Sequence, residues 1–118
     1  MIKLVCFLKR KEGMSHDEFL DHWQHRHGPL ITGTPTIARH VVRYEQLLPT
    51  AALPWMTAKG FDGITIMWFN GPADFEAFVA EPDYATVIAP DEQSFLDLDG
   101  LVGMLTEEPS IVIEGPAA

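Results

Sequence analysis

Three histidines and a tryptophan crowd the eleven residues from Glu18 to Gly28, EFLDHWQHRHG, with Pro29-Leu30 directly after them. An imidazole titrates near neutrality, so it can take a proton from carbon or oxygen and give it back elsewhere. On a helical wheel, Phe19, Trp23, His27 and Leu30 fall within about 80° of one another, a core-facing stripe. His27 therefore points inward, the candidate acid or base of a dry pocket; the competing reading is a core histidine whose ring caps the helix end near Gly28. Burial alone would disfavour its cationic form. His22 sits at the edge of the stripe, either as a second proton-transfer group or as a hydrogen-bonding side chain at a loop or subunit contact. His25 and His16 read as solvated or structural. His22 and His25 are three residues apart, but no H-E-x-x-H motif or cysteine pair accompanies them, so no dedicated metal site is expected.

Other groups could join this chemistry. His40 and Tyr44 share one face of a predicted strand; if that face looks toward the helices, Tyr44 can donate to a carbonyl or developing oxyanion while His40 orients substrate. If it looks the other way, both belong to a subunit interface. Phe19, Trp23, Trp68, Phe75, Phe78 and Tyr84 could line a pocket for a flat, largely apolar ligand, or fill an ordinary core. Among the carboxylates Asp62, Asp91, Glu92 and Asp97, the pair Asp91-Glu92 follows Pro90 and fits a helix N-terminus. A catalytic role for them requires one to reach the cavity beside His27. There is no Gly-rich phosphate loop, G-x-S-x-G elbow or Ser/His/Asp order, which disfavours nucleotide cofactors and acyl-enzyme chemistry.

The elements that must position these groups follow from patterning. Residues 2–9, IKLVCFLK, form a first strand with Cys6 as a core residue in its middle. Ser15 and Glu18 make an S-x-x-E capping box that opens a helix running to about Leu30, with Gly28-Pro29 expected to end or kink it. Residues 38–48 alternate as a second strand, and 49–60 read as a long loop. Residues 61–69, FDGITIMWF, are apolar on both faces, Ile64, Ile66 and Trp68 on one and Met67 and Phe69 on the other, so both faces need cover. A second helix begins after Asn70-Gly71-Pro72, is interrupted at Glu81-Pro82 and resumes to Leu96. A last strand lies between Leu101 and Glu114, broken near Glu107-Glu108-Pro109, and the final GPAA should fray. The order β-α-β-β-α-β is the ferredoxin-like plan, an α+β sandwich with a four-stranded antiparallel sheet and both helices on one face. The uncovered sheet face predicts a homodimer.

The 118 residues suit one domain spanning 1–118, with 47% apolar and 21% charged residues and no sign of disorder. A net charge of −9 argues against nucleic-acid binding. No apolar run is long enough to span a membrane and no export signal is visible, so the expected location is the cytoplasm. One cysteine allows no intrachain disulfide.

The stretches MSHDEFLDHWQHRHGPL, FDGITIMWF and DEQSFLD, in this strand order, resemble the EthD family of dimeric α/β barrel proteins. The most specific element is F-x-x-H-W-x-x-x-H-G-P-L, carried by Phe19, His22, Trp23, His27, Gly28, Pro29 and Leu30. The D-E-x-x-F-x-D segment (Asp91, Glu92, Phe95, Asp97) adds to it. The resemblance implies a homodimer with two sheets face to face and a ligand cavity in each protomer between sheet and helices. It leaves the chemistry open, since relatives of this fold include cyclases, decarboxylases or dehydratases, lactone isomerases and cofactor-free monooxygenases. The leading expectation is a cofactor-independent lyase or isomerase acting through His27 on a small aromatic, polyketide-like or lactone compound. A cofactor-free oxidation of a phenol and a non-catalytic protein that binds an apolar metabolite are the rivals.

Overall fold

A computed structural model describes residues 1–56 and 58–117. Four antiparallel strands, β1 (Ile2–Leu8), β2 (Arg43–Leu47), β3 (Gly63–Phe69) and β4 (Val102–Thr106), form one sheet in the order β2-β3-β1-β4. This is the ferredoxin-like α+β arrangement expected from the element order. The register pairs Val5 with Ile66 and Met104, and Tyr44 with Met67. Because side chains alternate, Leu4, Cys6, Leu8, Tyr44, Thr65, Met67 and Phe69 face the helices, while Lys3, Val5, Phe7, Ile64, Ile66, Trp68 and Met104 face outward.

The first helical stretch is α1 (His16–His22), a π-helical turn (Trp23–His27) and α2 (Gly28–Thr32) in succession. Its start is the predicted capping box: the Glu18 amide donates to Ser15 Oγ at 3.1 Å, and the Ser15 amide donates to Glu18 Oε1 at 3.0 Å. The helical stretch does not end at Gly28-Pro29 but runs on to Thr32, and its irregularity is the π-helical turn just before them. In a straight α-helix the Pro29 ring would crowd the carbonyl of His25 and leave it unbonded. Here the turn just ahead of the proline is wider, with the Gly28 amide donating to the Trp23 carbonyl five residues back.

The same device recurs in the second half. After α4 (Pro72–Ala80), Glu81 turns extended at φ −59°, ψ 132°, as a residue before proline tends to. A second π-helical turn (Tyr84–Ile88) then leads into α5 (Ala89–Phe95), whose second residue is Pro90. The Ala89 amide donates to the Tyr84 carbonyl.

Three boundaries differ from the sequence reading. Of the segment 38–48 read as strand two, Ala38 ends a short helix, α3 (Pro35–Ala38), residues 39–42 turn, and the strand begins only at Arg43. Pro35 supplies a preset first helical φ and Ile37, fully buried, anchors the turn in the core. Strand three begins at Gly63, because Asp62 is tied sideways to Arg10 and His16. The last strand stops at Thr106, and residues 107–117 form no further strand.

Helices and sheet meet in two apolar clusters. One joins Ile31, Ile37, Phe78 and Ile88 to Met67 and Phe69; the other joins Phe19, Trp23, Phe95 and Leu96 to Leu8.

Candidate functional site

Between those two clusters lies a cavity of about 320 Å³. Its walls are mostly apolar (Leu4, Leu8, Ile31, Met67, Phe78, Ile88, Phe95, Leu101), and its polar groups are His27, Trp23, Tyr44, Thr65, Tyr84 and Glu92, with Cys6 on the sheet side. The two π turns supply Trp23 and His27 on one side and Tyr84 and Ile88 on the other. A π turn shifts the phase of every following side chain, which makes it a frequent feature of functional sites.

His27 is 6% exposed. Its Nδ1 lies 2.8 Å from Asp91 Oδ2, on α5, and its ring leans on Phe95 with centroids 4.9 Å apart. A carboxylate can only accept, so Asp91 fixes the Nδ1–H tautomer and leaves Nε2 with its lone pair. Among the described residues Nε2 has no protein partner. Burial lowers the His27 pKa below the ordinary 6.5, prevailing over the pull of Asp91 in the opposite direction, with the nearby His22 adding to the fall. The ring is therefore neutral at pH 7, ready to accept a proton.

His22 does not reach the cavity. It stacks on Phe95 at 4.5 Å and places Nε2 2.9 Å from the other oxygen of Asp91. One carboxylate thus bridges two histidines of the first helical stretch. Tyr44 does reach the cavity, which answers the question of faces left open by alternation alone. The Gln46 amide donates to the Tyr44 hydroxyl at 3.1 Å and to the Trp23 carbonyl at 2.9 Å. The phenolic proton is left for another acceptor. Burial pushes the Tyr44 phenol up, against the influence of Gln46, Trp23 and Thr65, so it remains a donor. The Trp23 indole N–H is buried and has no hydrogen-bond partner among the described residues.

His40 parts company with Tyr44. It lies in the turn after α3, not on the strand, and pairs with Glu81 at 2.7 Å. Trp68 faces outward between Lys3 and Arg43, whose charged ends sit 5.5 and 5.6 Å from its ring. Odd and even positions of β3 necessarily take opposite faces, and Met67 holds the inner one. Phe19 and Phe75 are packing residues, Phe19 between Trp23 and Phe95 and Phe75 edge-on to Phe69. Phe78 and Tyr84 line the cavity together with Trp23.

The sequence reading made Asp91 and Glu92 carboxylates of a helix N-terminus, with a catalytic role only if one reached the cavity beside His27, and Glu92 does line that cavity. Both occupy the first turn of α5, as a helix N-terminus would favour, but their side chains diverge, Asp91 toward His22 and His27 and Glu92 into the cavity. The Tyr84 hydroxyl donates to the Glu92 carboxyl, 3.0 Å from each oxygen. Burial raises the Glu92 pKa above 4.5, Tyr84 opposes this and the charge of Asp91 adds to it. The signal in the sequence was the D-E pair itself. Its reach across to the first helix, over 64 residues of chain, was not visible there.

Asp62 belongs to a different structure. It is 1% exposed and receives the Arg10 amide and guanidinium at 2.8 and 2.7 Å, with His16 Nδ1 at 2.7 Å. Burial raises its pKa, but these hydrogen bonds outweigh that and hold it below the usual carboxylate range. Among the described residues no group of three or more His, Cys, Asp or Glu is arranged to hold a metal. A second hollow of about 430 Å³ on the outward side, lined by Phe7, Leu47, Phe61 and Ile64 with Lys59, has no acid–base pair.

A ferredoxin-like sandwich with a small apolar cavity, entered by an imidazole tied to a carboxylate, defines the class. The EthD domain model matches residues 11–99, and the chain belongs to the EthD family. No curated protein matches it. Solved structures share the fold. An ethyl tert-butyl ether D family protein from Bacillus halodurans is 16% identical at a TM-score of 0.70, covering 92% of this chain and 99% of its own. Hydroxynitrile lyase from Passiflora edulis is 16% identical at 0.69, covering 93% and 95%. A dimeric ferredoxin-like protein of unknown function from Bacteroides fragilis is 13% identical at 0.64, covering 91% and 95%.

Proposed function

We propose that this chain is an acid–base enzyme of lyase or isomerase type, acting without metal or nucleotide on a small, largely apolar carbonyl compound such as an aromatic, polyketide-like or lactone metabolite. The observation that carries this is His27, which lines the apolar cavity with its Nδ1 committed to Asp91 and its Nε2 free of protein partners among the described residues. Nε2 takes the proton from the carbon next to the carbonyl. Tyr44 donates to the oxygen on which charge collects, and the unpartnered indole N–H of Trp23 is available beside it. His22 acts through Asp91, which it helps to hold in place.

The working unit in this reading is a homodimer joined through the outward sheet face. That face carries Phe7, Val102 and Met104 at 40, 54 and 65% exposure beside Ile64, Ile66 and Trp68. Apolar surface of this kind on both strands and neighbours is what a second copy would cover.

The test is mass spectrometry of metabolite pools incubated with wild type and with folded His27→Ala, under air and under argon. A product formed only by wild type, and equally under argon, is the expected result. A requirement for air would replace this reading with oxidation of an electron-rich substrate. A compound retained on both proteins without turnover would replace it with a binding role.

A further inference from the structure

The cavity contains a second proton-bearing group whose place in a reaction is not taken up by His27 and Tyr44. Glu92 lines the same cavity as His27, and among the described residues its carboxyl is paired with no cation and has one hydrogen-bond partner, the phenol of Tyr84. No lysine or arginine is among the residues lining the cavity. Burial without a counter-ion, with the charge of Asp91 nearby, shifts this carboxyl toward its protonated form, and the single phenol that donates to it opposes that shift without reversing it. Burial thus pushes the two groups in opposite directions, His27 toward the neutral imidazole whose Nδ1–H tautomer Asp91 fixes, and Glu92 toward the protonated carboxyl that Tyr84 holds in place. Pairs of titratable groups driven to opposite protonation states are how a single site runs both acid and base steps.

We propose that Glu92 is a general acid opposed in function to His27, positioned by Tyr84, and that the cavity takes an uncharged β-hydroxycarbonyl compound with an aryl or similarly apolar end. This rests on the reading of His27 as the base. In the forward step Nε2 of His27 takes the proton from the carbon between the carbonyl and the hydroxyl-bearing carbon. The C–H pair becomes the new C=C bond and the C–O bond breaks. The departing oxygen takes the Glu92 proton and leaves as water. His27 ends as imidazolium beside Asp91 and Glu92 as carboxylate; solvent exchange on product release returns the proton from one to the other, so the cycle closes without an oxidant or reductant. The absence of a cation among the lining residues sets the charge selectivity, because an anionic ligand would be buried in a mostly apolar cavity near Asp91 with no positive group to offset its charge.

The probe is 4-hydroxy-4-phenylbutan-2-one in heavy water, with two readouts in one sample: deuterium entering the carbon next to the ketone by NMR, and formation of the conjugated enone by absorbance. Wild type should accelerate both over buffer. Glu92→Gln, which keeps size and the acceptor for Tyr84, should retain deuterium exchange within about threefold and lose enone formation by about 10²-fold. Tyr84→Phe should keep exchange and show an intermediate loss of enone formation, with the pH at which elimination fails displaced from wild type. His27→Gln should lose both. Enone formation by Glu92→Gln at the wild-type rate overturns the role of Glu92 while leaving His27 as base. Exchange by wild type no faster than His27→Gln overturns the reading of His27, and with it this proposal.

Discussion

His27 and Glu92, both lining the cavity, make opposite marks on stability. The pKa of His27 lies below 6.5 in the folded chain. Between 6.5 and that lower value the unfolded chain binds a proton that the native one does not, so the contribution is complete above 6.5 and is lost as pH falls. The pKa of Glu92 is raised from 4.5, so its contribution is present below 4.5 and is lost as pH climbs through the folded value. Thermal unfolding of His27→Gln should therefore be less sensitive than wild type to acidification below about 6.5, and Glu92→Gln less sensitive to the rise from acid to neutral pH. Equal pH slopes for wild type and variant would contradict the assignment concerned. Asp91→Asn should act differently. An amide can donate to Nδ1, which moves the imidazole proton to Nε2 and removes the lone pair facing the cavity. The tautomer is read directly from ¹⁵N shifts of the ring, and proton abstraction from the ketone probe should fall by about 10²–10⁴-fold.

The elements show which features patterning can reveal. The capping box at Ser15, the inward stripe from Phe19 to His27, the opposite faces of β3 and the break at Glu81-Pro82 are local, and the structure contains each of them. Local alternation misled at residues 38–42, where Pro35 and the buried Ile37 select a helical turn and carry His40 off to Glu81. The wheel placed His27 correctly but could not foresee a π turn, which needs the carbonyl pairing of Trp23 with Gly28 to be known. Nor could spacing show that Asp91 meets His22 and His27, because that contact depends on how the two helical layers dock. Gly63 gives a direct check on the docking: a Cβ there would lie 2.5 Å from Trp23 Cζ3 and 2.7 Å from Cη2. The ring is fully buried and cannot swing clear, so Gly63→Ala should lose about 1–3 kcal/mol in urea unfolding. Ser15→Ala should lose about 1 kcal/mol by removing the cap, without altering the cavity.

At the scale of the molecule, charge and apolar surface oppose each other. Each chain carries a net charge of −9. Two copies brought together through the outward sheet face repel one another, so a dimer formed there should tighten as salt rises. Sedimentation velocity at low and high ionic strength measures this, and Met104→Glu, which puts a further negative charge on a 65% exposed apolar position, should shift the population to monomer. A mass indifferent to both would place the interface elsewhere. No helix of the described residues is long and apolar enough to cross a membrane. The bond from His27 to Asp91 spans 64 residues and joins the first helical stretch to the last. During synthesis the imidazole therefore leaves the ribosome well before the carboxylate that sets its tautomer. Contacts of such long range form late in folding, after most of the chain-ordering cost has been met. In a partly made or partly folded chain the imidazole therefore has no fixed tautomer, and Nε2 becomes its settled acceptor only when the two ends of the fold have met.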